Sequence, residues 1–315
     1  MISILLTTYN DALNLPNAIR SIMGQKYKNF ELLIIDDGST DETQSVVDKF
    51  NDQRIRYIKT EHRGRSGALN YGLNVAKYEW VFLIDADDLI LPETLNKYSN
   101  YITYPQNTVI SSFACFYEND KIVFYLDYPT QDSDVKDFLY LHSINNTVLY
   151  NRNFILHRLK GYNETIIDSE EDYELWLGNY DQISFIIIPE YLVIKGFRYD
   201  SFSMRTSILK REKVYLLQIN FYDRMNLSKL NQDYELLGWR ELFYGSKSKA
   251  RKTFYKLGFQ ILKKPKIFLA ILISNLPDKL LSRILVFNYY PRILYRLKYF
   301  SERFSNVRLQ LKKLI

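Results

Sequence analysis

Residues 32–42, LLIIDDGSTDE, run four apolar residues into two adjacent aspartates and a glycine. A buried strand that ends on two carboxylates needs a reason, because like charges side by side repel. Part of the stretch reads as local structure. Asp37-Gly38 suits a turn, and Ser39 with Glu42 has the spacing of a capping box opening a helix. That leaves Asp36 and Asp37 unexplained as a pair. The same event recurs at residues 80–92, WVFLIDADDLILP, where the apolar run ends on Asp85, Asp87 and Asp88.

Working outward, five short apolar runs alternate with segments of helical spacing: residues 2–6, 30–35, 54–58, 80–84 and 108–117. Pro16 and Pro92 stand near helix starts. The alternation predicts an α/β fold, a mostly parallel sheet flanked by helices on both faces. Ligands of such sheets bind beyond the carboxyl ends of the strands. Those ends carry the unusual residues: TTYN (Thr7 to Asn10), the Asp36-Asp37 pair, and Asp85, Asp87 and Asp88. One aspartate after a strand is commonly a turn or a cap, and Asp41 and Asp88 are read as caps or solvated residues. Two such ends in one sheet, one of them D-x-D, point instead to a site centred on Asp87. Thr8 fits either role. Clustered carboxylates call for a cation, and oxygen ligands without nearby His or Cys suit Mn²⁺ or Mg²⁺. Such ions complete their shell with phosphate oxygens, so the expected ligand is a phosphorylated small molecule.

The bulk properties fit this picture. The 315 residues are 47% hydrophobic and 25% charged, as in a globular chain. A lone cysteine, Cys115, excludes an intrachain disulfide framework. No signal peptide is apparent, and the longest clean apolar run, Ile267 to Ile273, is far short of the ~20 residues a spanning helix needs. The expected location is cytoplasmic. Charge divides the chain: residues 1–204 carry a net −11 and residues 205–315 a net +17. A boundary near Met204 therefore separates a catalytic part from a basic, amphipathic helical extension. In the extension, residues 243–265 read as one amphipathic helix ended by Pro265, and a further helix starts near Pro277. Basic helices with aromatic-rich apolar faces suit an anionic membrane surface. The alternative is that the apolar face packs on the first part or on a second copy. No nucleic-acid module is present, so nucleic acid is not an expected partner.

Four stretches in order, LLTTYN, LLIIDDGSTDE, RGRSGALNYGLNVAKYEWVFLIDADD and SEEDYELWLGN, resemble the inverting family 2 glycosyltransferases of the GT-A fold, over residues 1–204. The resemblance implies that Thr7 and Tyr9 line the nucleoside pocket, with Tyr9 packing on the base. Asp37 would hydrogen-bond the base and Asp85 would face ribose and sugar. Asp87 would ligate the metal on the donor diphosphate, and Asp172 would be the catalytic base. Three departures stand out: Thr7 where Pro often precedes, Leu69 where Arg is frequent, and Arg198 to Asp200 (RYD) in place of an R-x-H element.

Some of these residues have local readings as well. Asp172 lies at the third position after Ser169, close to a capping box, and the helix dipole alone favours acids there. Against that, Asp172 shares a helix face with Trp176, which would desolvate it or form a sugar platform. Glu171 is the next candidate base. Arg63 or Arg65 would reach the diphosphate, or both belong to a solvated loop. His62, His142 and His157 are read as surface or packing residues.

The implied reaction is transfer from an α-linked nucleotide sugar, a UDP-sugar, to a hydroxyl of a glycan or lipid-linked acceptor, giving a β-linkage in surface polysaccharide assembly. That places the enzyme peripherally on the inner face of the cell membrane. Two alternatives are weighed. A sugar-1-phosphate nucleotidyltransferase needs a Gly-rich basic loop after the first strand, and TTYNDALN is not one. A catalytically silent nucleotide-sugar binder or scaffold would bind without releasing UDP.

Overall fold

The computed structural model describes residues 1–118, 121–126, 130, 146–165, 171–196, 238, 242, 247–263 and 265–275. The RYD element, Ser169, His142 and the predicted helix at Pro277 lie outside the described residues. Two compact units are present, one within Met1–Ser201 and one within Phe202–Lys298.

The first unit is built on a sheet of nine described strands. They are β1 (Ile2–Thr8), β2 (Phe30–Asp36), β3 (Ile55–Lys59), β4 (Trp80–Asp85) and β5 (Asp88–Ile90), followed by β6 (Thr108–Glu118), β7 (Lys121–Leu126), β8 (Leu149–Asn151) and β9 (Ser184–Gly196). Their order is β3-β2-β1-β4-β8-β6-β9-β5, with β7 on β6. The five apolar runs all become strands. The first four, β3-β2-β1-β4, are parallel. Beyond them the sheet is mixed: β8 is antiparallel to β4 and β6, β9 is parallel to β6, and β5 is antiparallel to β9. The sequence reading missed β5, β7, β8 and β9; of these β5 and β8 are three residues each, too short to show a period.

Continuous apolar strands need cover on both faces, and both are covered. Leu5, Leu33, Ile35, Val81 and Leu83 face one way, into a core shared with Leu69, Leu73 and Trp176. These last residues come from α3 (Gly64–Val75) and α5 (Glu171–Gly178), and a π-helical turn at Phe154–Arg158 joins the same layer. Ile4, Leu6, Ile34, Phe82 and Ile84 face the other way, packing with Ile19, Ile22, Val47, Leu95 and Tyr98. Those belong to α1 (Leu15–Met23), α2 (Thr43–Val47) and α4 (Thr94–Ser99). Leu69, the departure from a frequent Arg, is a core residue of α3, 1% exposed.

One local expectation is corrected and another is met. No Ser39–Glu42 capping box forms, and Glu42 at the start of α2 makes no capping bond. Ser39 is instead drawn toward β1: its Oγ accepts from the Asn10 N–H at 2.8 Å. Asp41 does act as a cap, accepting from the Thr43 N–H at 3.1 Å.

In the second unit α6 (Lys247–Tyr255) is followed by a 3₁₀ segment (Gly258–Lys263) and α7 (Pro265–Ile273). The single helix expected across residues 243–265 is thus broken near Gly258, whose φ of +54° lies in the left-handed region. Pro265 opens a helix rather than ending one, since its missing N–H is no loss in a first turn. Ala250, Phe254, Ala270 and Ile271 form the core of this unit with Leu242.

Candidate active site

Strand register builds the rim. Thr7 on β1 pairs with Asp85 on β4, and Thr8 pairs with Asp36 on β2. Every element that ends there delivers its terminal polar residue to the same edge of the sheet.

Of the two adjacent aspartates, Asp36 ends β2 and Asp37 follows it. Each is satisfied separately. Asp36, fully buried, accepts from the Ser39 N–H at 2.8 Å and from the Tyr57 hydroxyl. Asp37, 3% exposed, accepts from the Arg63 N–H at 2.7 Å. His62 Nδ1 lies 2.8 Å from the Asp37 carboxylate and 3.0 Å from its carbonyl oxygen. Both of those atoms only accept, so Nδ1 carries the proton. After Asp37, Gly38 adopts φ +81°, and a Cβ there would stand 2.9 Å from the His62 backbone nitrogen. The turn therefore needs glycine and holds His62 close.

His62 is exposed, as expected of a surface residue, and packs beside the expected nucleoside pocket. Its ring stacks on Tyr9, with centroids 4.3 Å apart and planes 17° from parallel. Tyr9 itself is 48% exposed. Asn10, at φ +50°, turns the chain after Tyr9, and its side-chain oxygen accepts from the Thr40 N–H at 2.8 Å. The ends of β1 and β2 are thus tied together around an aromatic pair and a buried carboxylate.

A second group forms around Arg65, in the first turn of α3. Its Nη1 bonds Asp85 and, at 3.3 Å, Thr7 Oγ1. Its Nε bonds Glu171 at 2.5 Å. Burial works against the Arg65 charge, but Asp85, Glu171 and Asp172 hold the guanidinium well above its usual range. Arg65 Nη2 is buried and has no partner among the described residues, as are Thr8 Oγ1 and Ser66 Oγ. Asp85 is also bonded by the Asn146 amide nitrogen. Burial opposes its charge, and Arg65 with Lys195 more than offsets this, so its carboxyl sits below the ordinary range.

Asp88, expected to be a cap or solvated, is 2% exposed on β5 and ion-paired with Lys195 of β9. Burial, reinforced by Asp87 and Asp85, pushes it up to about 7 against the pull of Lys195. Asp87 lies in the two-residue turn between β4 and β5, half-buried. Gly196 packs against it so closely that a Cβ would stand 2.9 Å from its carbonyl oxygen.

Glu171 and Asp172 open α5. Glu171 is 2% exposed and committed to Arg65. Asp172 is half-buried and takes the Tyr173 N–H at 2.7 Å. Trp176 is fully buried with its ring 6.1 Å from that of Tyr150, so it is a core residue and offers no platform to a sugar. The approach to α5 is held from α3. Asn70 accepts from the Tyr162 N–H and donates to the Tyr162 carbonyl, both at 2.8 Å.

Among the described residues of this rim, two cations, Arg65 and Lys195, stand among five carboxylates, Asp85, Asp87, Asp88, Glu171 and Asp172. The donor set is oxygen-only and carries an excess of negative charge, which fits a hard divalent ion. No three His, Cys, Asp or Glu side chains among the described residues are grouped to hold a metal by themselves. Mg²⁺-like ions commonly take one or two carboxylates and fill the rest of their shell with water and phosphate.

A mixed α/β sheet with acidic strand ends and an acidic helix start is the arrangement that the family 2, GT-A resemblance implies. The sequence matches the family model described as "Glycosyl transferase family 2" over residues 3–168, and the chain belongs to that family. It is 27% identical over 304 residues to the GalNAc(5)-diNAcBac-PP-undecaprenol beta-1,3-glucosyltransferase of Campylobacter jejuni, covering 90% of this chain and 96% of that protein. It is 31% identical over 182 residues to the Escherichia coli UDP-Glc:alpha-D-GlcNAc-diphosphoundecaprenol beta-1,3-glucosyltransferase WfaP, covering 56% of this chain and 69% of WfaP. The fold matches that of S. aureus TarS 1-349 in complex with UDP-GlcNAc, with TM-score 0.62 and 19% identity over 99% of this chain and 90% of TarS 1-349.

Proposed function

We propose that this family 2 enzyme is an inverting, metal-dependent glycosyltransferase that moves a sugar from a UDP-sugar to a hydroxyl of a lipid-linked glycan. The observation that carries the reading is the convergence of Tyr9, Asp37, Asp85, Asp87 and Asp172 on one rim. The names of the Campylobacter jejuni and Escherichia coli relatives support a β-linked product and an undecaprenol-linked acceptor.

In this reading Tyr9 and His62 offer aromatic faces to the base, and Asp37 orients it. Asp85 accepts hydroxyls of ribose and sugar, while the unfilled Nη2 of Arg65 is a charged donor for the diphosphate. Asp87 would hold Mn²⁺ or Mg²⁺, which supplies charge neutralisation for the departing diphosphate. Glu171 is buried and committed to Arg65, which leaves the role to Asp172. Asp172 takes the proton of the acceptor hydroxyl as its oxygen bonds to the anomeric carbon. The bond from that carbon to the phosphate oxygen breaks on the opposite face, and UDP leaves with the electron pair.

A UDP-release assay over a donor panel, with and without Mn²⁺, tests this. Asp172→Asn should keep donor affinity and lower transfer on the order of 10³-fold. Unchanged turnover would remove Asp172 from the base role, and binding without UDP release under any acceptor would mark a silent binder.

A lipid-linked acceptor calls for a membrane surface. Among the described residues no helix is long and apolar enough to cross a membrane. The second unit instead exposes Phe268, Leu269 and Leu272 along α7, each more than half exposed. In a region of net charge +17 from residue 205 onward, that apolar stripe suits an anionic bilayer surface.

A further inference from the structure

A chain of polar side chains runs along the rim of the first unit. From Asp88 on β5 it passes to Lys195 on β9, whose Nζ also donates to Asn146 Oδ1 at 2.7 Å. The Asn146 amide nitrogen bonds Asp85 Oδ2, and Arg65 bonds the other Asp85 oxygen and Glu171. Asn146 and Lys195 lie outside all four sequence stretches that mark the family.

The chemistry of these groups leaves one arrangement. An ammonium only donates and a carboxylate only accepts, whereas an amide has one accepting and one donating end. With Lys195 on one side, Asn146 must turn its oxygen to the ammonium and its nitrogen to Asp85. Asp85 alone also draws the amide nitrogen, but without the ammonium the amide is held at one end only and its oxygen loses its donor. Asp88 in turn holds Lys195 in place, helped by the Thr147 hydroxyl at 3.2 Å.

We infer that Lys195 and Asn146 are positioning residues that fix the orientation of the Asp85 carboxylate. Arg65 pins one oxygen and the Lys195-oriented amide pins the other. Each oxygen keeps a second acceptor position for a donor hydroxyl. A carboxylate with only one oxygen held would swing about its own bond and lose part of that directionality. The role assigned here to Asp85 rests on the glycosyl-transfer reading; the ordering of Asn146 by Lys195 does not.

Three variants test the inference: Asn146→Ala, Lys195→Met and Lys195→Arg. Asn146→Ala removes the neutral link and leaves both ion pairs standing, so it keeps the fold even where Lys195→Met does not. In the UDP-release assay Asn146→Ala should raise the donor KM about tenfold with kcat within about threefold, the pattern of lost uniform binding. Lys195→Met should match it, Lys195→Arg should recover most of the loss, and the double variant should add little, because the two act in series. An unchanged donor KM in Asn146→Ala, or single effects that multiply in the double variant, would overturn the inference. The same cycle read as Tm needs no substrate. Shifts that fall short of additivity by about 2–4 °C support the coupling, and additive shifts overturn it. A wild-type protein that releases UDP from no donor would sink the glycosyl-transfer reading and leave the coupling to be judged by Tm alone.

Discussion

Arg65 holds two acidic residues, Asp85 and Glu171, that lie 20 and 106 residues from it along the chain, with its own side chain only 27% exposed. Removing it strands two buried carboxylates. Arg65→Met should therefore cost about 3 kcal/mol in urea unfolding and abolish activity, and Arg65→Lys should not restore either, since a single ammonium cannot span the fork. The pair of Tyr9 and His62 carries a separate prediction. His62→Ala removes one aromatic face and a donor to Asp37, and should weaken UDP binding by about tenfold in calorimetry, with little change in Tm. The two residues differed in how readable they were. Tyr9 stands inside a recognisable stretch, TTYN. His62 had no marker in EHRGRSG, because what gives it a role is contact with Tyr9 and Asp37, both far away along the chain. Asp88 was misjudged for the same reason: its partner Lys195 lies on a strand that local sequence could not pair with β5.

At the scale of elements, the opposite edge of the sheet is tied by a buried acid. Glu31 at the start of β2 accepts from Ser3 Oγ at 2.5 Å, the Lys77 N–H at 2.6 Å and Arg56 at 2.8 Å. These bonds join β1, β2, β3 and the approach to β4. Burial alone would raise the Glu31 carboxyl, but Ser3, Arg56 and Lys77 outweigh it and hold it below its ordinary 4.5. The carboxylate thus binds its proton less readily when folded than when unfolded. Its contribution is complete above the ordinary value and disappears as pH falls through the lowered one. Glu31→Gln should lose about 1–3 kcal/mol at neutral pH and show a shallower fall in stability below pH ~4.5 than the wild type. The packing of α3 on β1 gives another test. A Cβ at Gly72 would stand 2.3 Å from Leu5 Cδ1, so Gly72→Ala should cost about 1–3 kcal/mol despite alanine's better helix propensity.

At the scale of the whole molecule, the proposed membrane role depends on α7 and the positive charge around it. Phe268→Asp with Leu272→Asp in the full chain should lower sedimentation with anionic vesicles several-fold while leaving UDP release from the donor in the presence of a soluble acceptor intact. Raised salt should weaken wild-type binding, because part of the attraction is charge on charge. Equal sedimentation of the variant would remove α7 from that surface. The sequence by itself determined the α/β alternation, the strands β1 to β4 and β6 and the acidic strand ends, since apolar period and turn chemistry are local properties written every two to four residues. It also carried the family, through four ordered stretches. Tertiary structure decided the rest. Only strand register could set Thr7 beside Asp85, and only the fold could bring Arg65 between Asp85 and Glu171, His62 against Tyr9, and Lys195 onto Asp88. Charges meet across the whole chain, and their pairing follows from where the backbone carries them.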